Sequence, residues 1–249
     1  MVCAVLCALA AAGCNNSSAT PSPTAVTDPN EIVTQSFANL ETATTLHVEG
    51  TIAGSVNINA IGALMGGLPI GLSGSIKLDG STFSGDVDMA NQALYVRAVF
   101  PSLFGLTAEV VVADGYVYFK SPMPGAKYSK TKLAASFSES LRELKSRMDA
   151  GGTTATLAGR DTIDGRDAYH LVLTVPTELL NQQMGAVASG LTATLAPVDY
   201  WVYVDTLQPA RVRLKISSAD LGNLDVSATL TKYGQPVSIQ APPQNQVEG

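Results

Sequence analysis

Ala108-Glu109-Val110-Val111-Val112-Ala113-Asp114-Gly115-Tyr116-Val117-Tyr118-Phe119-Lys120 is the stretch that decides the fold class. Two runs of β-branched and aromatic residues flank Asp-Gly, a dipeptide that tolerates the positive φ angles of a two-residue hairpin turn. The pair recurs between β-rich runs at Asp79-Gly80 and Asp164-Gly165, so hairpins are expected there too. Further strands are expected at 46–52, 74–79, 83–89, 93–100, 155–162, 167–175, 199–205, 210–217 and 224–232. In 210–217, Arg211, Arg213 and Lys215 share one face while Val212, Leu214 and Ile216 share the other. Such alternation marks an antiparallel sheet that is wet on one side only.

Three amphipathic helices interrupt the strands. Asp28-Pro29-Asn30-Glu31 combines an N-cap acid with Pro at the first helical position, and Val33, Phe37 and Leu40 follow as a stripe that carries a helix to about Thr44. Ser136 and Glu139 have capping-box spacing, followed by Phe137, Leu141, Leu144 and Met148 on one face. Glu143 can pair with Arg147 across one turn, and Gly151-Gly152 ends this second helix. A third helix is expected over 177–189, with Leu180, Met184 and Val187 on one side. About eleven strands and three short helices in one continuous pattern predict a single α+β domain. Because the strands offer more apolar surface than three helices could cover on a flat sheet, the expected form is one strongly curved antiparallel sheet, a half-barrel, with the helices on its concave side.

Composition closes several functional classes. The 249 residues carry a net charge of −6, with no cluster of Lys and Arg, which argues against a nucleic-acid partner. Two histidines, His47 and His170, and cysteines only at 3, 7 and 14 leave no ligand set for zinc, haem or an iron–sulfur cluster, so no metal or cofactor is expected. Asp161, Asp164 and Asp167 lack the glycine turn and terminal Glu of a calcium loop and read as hairpin polarity. Gly71-Leu72-Ser73-Gly74-Ser75 has the wrong spacing for a nucleophile elbow, no phosphate-cradling loop is present, and no catalytic residue is assigned. His170 reads as a strand-surface histidine; Trp201, with Tyr200 and Tyr203, reads as core.

Residues 1–13, MVCAVLCALAAAG, are uncharged and shorter than the roughly 20 residues that span a bilayer as a helix. They have the length of a signal-peptide apolar region, and Ala11-Ala12-Gly13-Cys14 resembles a bacterial lipobox. Cys14 is then the lipid anchor and 14–28, rich in Ser, Thr, Ala and Pro, a flexible tether. A protein so anchored sits on the extracytoplasmic face of the cell membrane.

Ala158-Gly159-Arg160-Asp161-Thr162-Ile163-Asp164-Gly165, the strand Tyr200-Trp201-Val202-Tyr203-Val204 with Leu207-Gln208-Pro209-Ala210-Arg211, and Leu230-Thr231-Lys232-Tyr233-Gly234-Gln235-Pro236-Val237-Ser238-Ile239 together resemble the LppX/LprG family of mycobacterial lipoproteins. Lipobox, tether and first helix fall in the same order. Two departures are Tyr233, where the family usually has Trp, and the Gly-rich apolar segment 60–72, which looks longer than its counterpart.

The resemblance implies a half-barrel over residues 29–243, before a C-terminal tail at 244–249, enclosing an apolar cavity for acyl chains. Members bind or help move lipids and lipoglycans across the envelope. Ser84-Gly85-Asp86-Val87-Asp88-Met89 resembles the family strand whose apolar positions face the cavity, with Val87 and Met89 inward and Asp86 and Asp88 outward. The same alternation groups Ile76 with Leu78, then Leu94, Val96, Ala98 and Phe100, then Val110 with Val112, as candidate lining. Ala60–Leu72, with Leu64, Met65, Leu68 and Ile70 as candidate gate residues, reads as a flap at the cavity mouth, a membrane-touching loop, or a buried strand and turn. The expected partners are a lipid or glycolipid, the membrane through acylated Cys14, and an envelope transport protein. The alternative role is an envelope-stress sensor or assembly module that binds a protein with the same fold.

Overall fold

The computed structural model describes residues 26–57, 74–150, 152–176, 194–219 and 222–248. These contain helices α1 (Pro29–Glu41) and α2 (Phe137–Ala150). The first half of the sheet comprises β1 (Thr45–Asn57), β2 (Ser75–Lys77), β3 (Ser81–Asp88), β4 (Ala93–Phe100), β5 (Leu106–Ala113), β6 (Tyr116–Lys120) and β7 (Tyr128–Lys132). The second comprises β8 (Thr154–Ile163), β9 (Arg166–Thr174), β10 (Thr194–Leu195), β11 (Val198–Tyr203), β12 (Pro209–Ser218) and β13 (Gly222–Thr231). The expected third helix at 177–189, the segment 60–72 with its gate residues, and Cys14 lie outside the described residues.

All thirteen strands join one open antiparallel sheet in the order β7-β6-β5-β4-β3-β1-β13-β12-β11-β9-β8, with β2 beside β1 and β10 beside β12. The pairing β1–β13, from His47 opposite Thr231 to Val56 opposite Gly222, joins the two meanders at the centre. Its register sets Val48 against Leu230 and Ile52 against Val226, so the apolar faces of the two halves are continuous. Asp114 (φ 54°) and Gly115 (φ 77°) form the positive-φ turn of the β5–β6 hairpin, and Asp164 with Gly165 repeat it between β8 and β9.

Asp79-Gly80 departs from the expected hairpin. β2 and β3 do not pair with each other; both pair with β1, end to end, at Ser55–Asn57 and Thr45–Ile52. The Asp79 carboxylate fills the break by accepting from the Gly54 N–H at 2.9 Å, and the Leu78 N–H donates to the Gly54 carbonyl at 2.8 Å. The local Asp-Gly signal is therefore spent on an interruption in one long strand, not a reversal.

Close approach also shapes the sheet centre. A Cβ on Gly50 would fall 2.0 Å from the Ser227 carbonyl oxygen, and one on Gly85 1.9 Å from that of Tyr95. Only glycine allows neighbouring backbones to come so near, which is where strands bend.

Helix α1 starts as expected, with the Asp28 carboxylate accepting from the Asn30 N–H at 2.8 Å, but it stops at Glu41, because β1 begins at Thr45. Its fully buried residues are Ile32 and Ser36, not the stripe Val33, Phe37 and Leu40. Ile32 enters the main core with Tyr169, Leu171, Leu173, Val198, Tyr200 and Val202. In α2, Ser136 and Glu139 form the reciprocal capping box, at 2.9 Å and 3.2 Å. Glu143 pairs with Arg147 across one turn. None of its residues is fully buried.

On the opposite face, Val111, Ala113, Tyr118 and Tyr128 form a second cluster, covered by Ile239, Ala241 and Val247 of the C-terminal segment. This segment leaves β13 near Thr45, whose hydroxyl donates to the Gln235 carbonyl, and ends with the Glu248 N–H donating to the Tyr128 carbonyl at 2.9 Å. Val247, in the 244–249 stretch taken as tail, is thus buried against β7.

Trp201 corrects another expectation. Tyr200 and Tyr203 are buried, whereas Trp201 is half-buried on the polar face, stacked on His170 at 4.5 Å with its indole N–H donating to Asp161 at 2.7 Å.

Candidate functional site

Residues of eight strands and the stripes of two helices converge on space that side chains leave unfilled. One cavity, of about 430 Å³, lies between the first turns of α2 and the sheet centre. Leu46 and Val48 of β1, Val87 of β3, Leu94 of β4 and Ala228 and Leu230 of β13 form its floor. Leu40 of α1 and Phe137 and Leu141 of α2 roof it, and Met89 and Val212 complete the wall. A second cavity, of about 320 Å³, continues beneath the last turns of α2, between Leu144 and Met148 above and Leu173, Val198 and Leu214 below. Phe37 of α1 forms one side, and Val175 and Leu195 close the far end.

Val212 lines both cavities, while α1 contributes Phe37 to one and Leu40 to the other. The two spaces therefore adjoin along a path under α2, which at 14 residues is about 21 Å long. Each volume falls within the range of about 300–1,000 Å³ typical of small-molecule sites.

The lining is almost wholly hydrocarbon. Ser140 is the polar member of the first cavity, and Arg147 of the second, where its guanidinium is engaged by Glu143. Tyr200 presents its ring to the second cavity, stacked with Phe37 at 6.3 Å. Its hydroxyl turns away to Ser36 Oγ at 2.7 Å, and burial holds its pKa well above the ordinary tyrosine value. That hydroxyl stays protonated, so it satisfies Ser36 and adds no charge to the wall.

A larger concavity, about 720 Å³, opens on the opposite face. Glu49, Thr51, Ser84, Arg97, Arg211 and Thr229 line it beside Phe83 and Val99, a mixed wall that sets charges and hydroxyls against any alkyl chain. Both histidines also occupy that polar face, His47 at 2.7 Å from Asp86 and His170 at 2.9 Å from Asp199. Arg213 pairs there with Asp225 through two hydrogen bonds, which raises the pKa of the arginine and lowers that of the aspartate. Among the described residues, no three His, Cys, Asp or Glu side chains come together as a metal site.

Of the lining residues expected from sequence, the structure gathers Val87, Met89 and Leu94 around the first cavity. Val96, Phe100, Val110 and Val112 extend the same sheet face, as the opposed pairs Leu94–Val112 and Val96–Val110 show, but they lie outside the cavity lining. Ile76 stands opposite Val56, and Leu78 is buried just past β2; neither touches either cavity. Sequence reasoning passed over Phe37, Leu40, Phe137, Leu141, Leu144 and Met148 as lining. Their helical periodicity was visible, but it reads equally as ordinary core cover, and only the gap beneath them distinguishes the two.

The model of the LppX_LprAFG lipoprotein family matches residues 28–239. In fold, the chain is similar to the lipoprotein LppX of Mycobacterium tuberculosis, with a TM-score of 0.54 and 17% identity over 86% of this chain and 100% of that one. It is also similar to LprF from Mycobacterium bovis, with a TM-score of 0.50 and 19% identity over 87% of this chain and 99% of that one. No curated protein matches the chain in sequence.

Proposed function

Since the chain belongs to the LppX_LprAFG lipoprotein family, we propose that it binds the acyl chains of a lipid or glycolipid in the apolar space beneath α2 and carries or transfers them within the cell envelope. The observation that carries this reading is the pair of adjoining hydrocarbon-lined cavities, joined at Val212 and roofed by a helix with no fully buried residue. A roof of that kind can be displaced without opening a close-packed core.

In this reading the sheet acts as a half-barrel, with its helices on the concave side and Cys14 acylated to hold the domain on the extracytoplasmic face of the membrane. Val87, Met89 and Leu94 bind the proximal part of the chain. The continuing face through Val96, Phe100, Val110 and Val112, with Ile76 and Leu78 at its margin, accommodates longer chains.

The physical basis is transfer of apolar surface. Burial is worth roughly 25 cal/mol per Å² relative to water but little relative to a bilayer interior, so loading and release at a membrane are near balance. The process requires no covalent step, and no residue is assigned a catalytic role.

The direct test purifies the full chain, extracts it with organic solvent and identifies bound lipid by mass spectrometry, alongside uptake of a fluorescent fatty acid. Val87→Trp is expected to abolish uptake while leaving the circular dichroism spectrum unchanged; equal loading of variant and parent would place the ligand elsewhere. A parent that holds no lipid and takes up no acyl probe would redirect the fold to recognition of a protein partner.

A further inference from the structure

The antiparallel register brings two hairpin tips to one end of the sheet. Phe100 opposes Leu106 at the β4–β5 tip, and Lys120 opposes Tyr128 at the β6–β7 tip. At the first stands Phe104, fully exposed, and at the second Met123, 67% exposed. They are the two most exposed large apolar side chains among those described.

Phe104 is held outward by a rigid frame. Pro101–Leu103 form a 3-10 turn, the Gly105 N–H donates to the Phe100 carbonyl at 3.1 Å, and the Ser102 hydroxyl donates to the Lys77 carbonyl. Phe104 itself takes a left-handed conformation at φ 57°, which is uncommon for an aromatic residue and turns its ring away from the sheet. The loop thus braces the ring in water.

Two further observations fall at the same end. The side-chain oxygen of Asn30, in the first turn of α1, accepts from the Ala155 N–H at the start of β8, at 3.0 Å, so residues N-terminal to Val26 join the domain here. The second cavity also runs out here, at Val175 and Leu195. The charged side chains at this end are mixed, Lys77, Lys120 and Lys127 standing with Asp28, Glu31, Asp79 and Glu248. Any attraction to a surface must therefore be chiefly apolar.

We propose that this end is a membrane-docking edge, at which Phe104 and Met123 enter the interfacial layer of a lipid bilayer. The chain then leaves toward the membrane from the end that carries the tips, and the closed end of the second cavity lies at that end too. The proposal rests on the membrane placement given above but not on occupancy of the cavity.

The test reconstitutes the full chain with vesicles of phosphatidylcholine, with and without brominated acyl chains. In Phe104→Trp, the added tryptophan emission should be quenched about twofold or more by the brominated lipid and should stay so in high salt, as expected of an apolar interfacial contact. Native Trp201, stacked on His170, and a tryptophan placed by Tyr116→Trp at the β5–β6 turn, the opposite end of the sheet, should not be quenched. In a Cys14→Ser background, which cannot be acylated, Phe104→Ser combined with Met123→Ser should weaken vesicle binding while sparing uptake of a soluble fatty acid.

Quenching at 104 no greater than at 116, or undiminished vesicle binding by the double variant in the Cys14→Ser background, would overturn the docking edge. Quenching at 104 in a chain that takes up no acyl probe would uphold the edge and remove the carrier reading instead.

Discussion

Ser36 and Tyr200 show how single side chains hold the helix to the sheet. Ser36 is fully buried on α1, and its Oγ meets the Tyr200 hydroxyl at 2.7 Å with no water-exposed route for either. Removing one partner strands the other, so Ser36→Ala is expected to cost about 1–3 kcal/mol, whereas Ser36→Ala with Tyr200→Phe should cost less than the two single changes summed. Thermal unfolding of the four proteins in the cycle measures this. Tyr200 and Tyr233, both raised by burial, keep their protons in the folded state. Their stabilisation is present below the unfolded tyrosine value of about 10 and declines as pH rises above it. The sign reverses for Asp205, lowered by its hydrogen bond from Arg166, and Asp225, lowered by that from Arg213. Their contribution is present above the unfolded carboxylate value of about 4 and is lost as pH falls below it. Because both pairs are substantially exposed, each is worth only about 0–1 kcal/mol, and Asp225→Asn should flatten the acid limb of a melting-temperature profile slightly.

At the scale of elements, the sheet depends on backbone contact and the C-terminal segment on side-chain burial. Gly85→Val places a Cβ where the Tyr95 carbonyl oxygen already lies, so β3 and β4 must separate; a loss of about 3 kcal/mol is expected in urea unfolding. Gly80, whose Cβ would meet nothing within 4 Å, is the contrasting position, where the only penalty is its φ of 78°. The segment after β13 acts as a strap over the polar face, and its anchor is Val247, 6% exposed against Tyr128. Val247→Ser should cost about 2 kcal/mol through lost burial and raise amide exchange at Tyr128 and Glu248. Strand β7 shows why it escaped sequence reading: Tyr128-Ser-Lys-Thr-Lys has a single apolar residue, and Lys130 rests on an aromatic face, 3.9 Å from the Tyr116 ring centre. Strand β10, two residues long, is below what any periodicity can register.

For the whole molecule, the decisive feature is a sheet with a continuous hydrocarbon face on one side and a mixed face, carrying both histidines and the ion pairs, on the other, joined at its centre by strands from opposite ends of the chain. Val212, which borders both cavities, is the position where one change reaches both: Val212→Trp, like Val87→Trp, should abolish fatty-acid uptake, with fluorescence titration as the measure. Most of this architecture could be read from the chain alone. Strand positions, the hairpins at Asp114-Gly115 and Asp164-Gly165, the caps of both described helices and the inward set Val87, Met89 and Leu94 follow from alternation, turn chemistry and capping, which act over a few residues. The collinear run of β2 and β3, the pairing of β1 with β13, and the use of the Phe37–Leu40 and Leu141–Leu144 stripes as cavity wall did not. Those features depend on which distant backbones meet and on whether the summed side-chain volumes fill the space between layers. An apolar residue facing a packed core and one facing an unfilled cavity obey the same local pattern, and only the three-dimensional sum of volumes separates them.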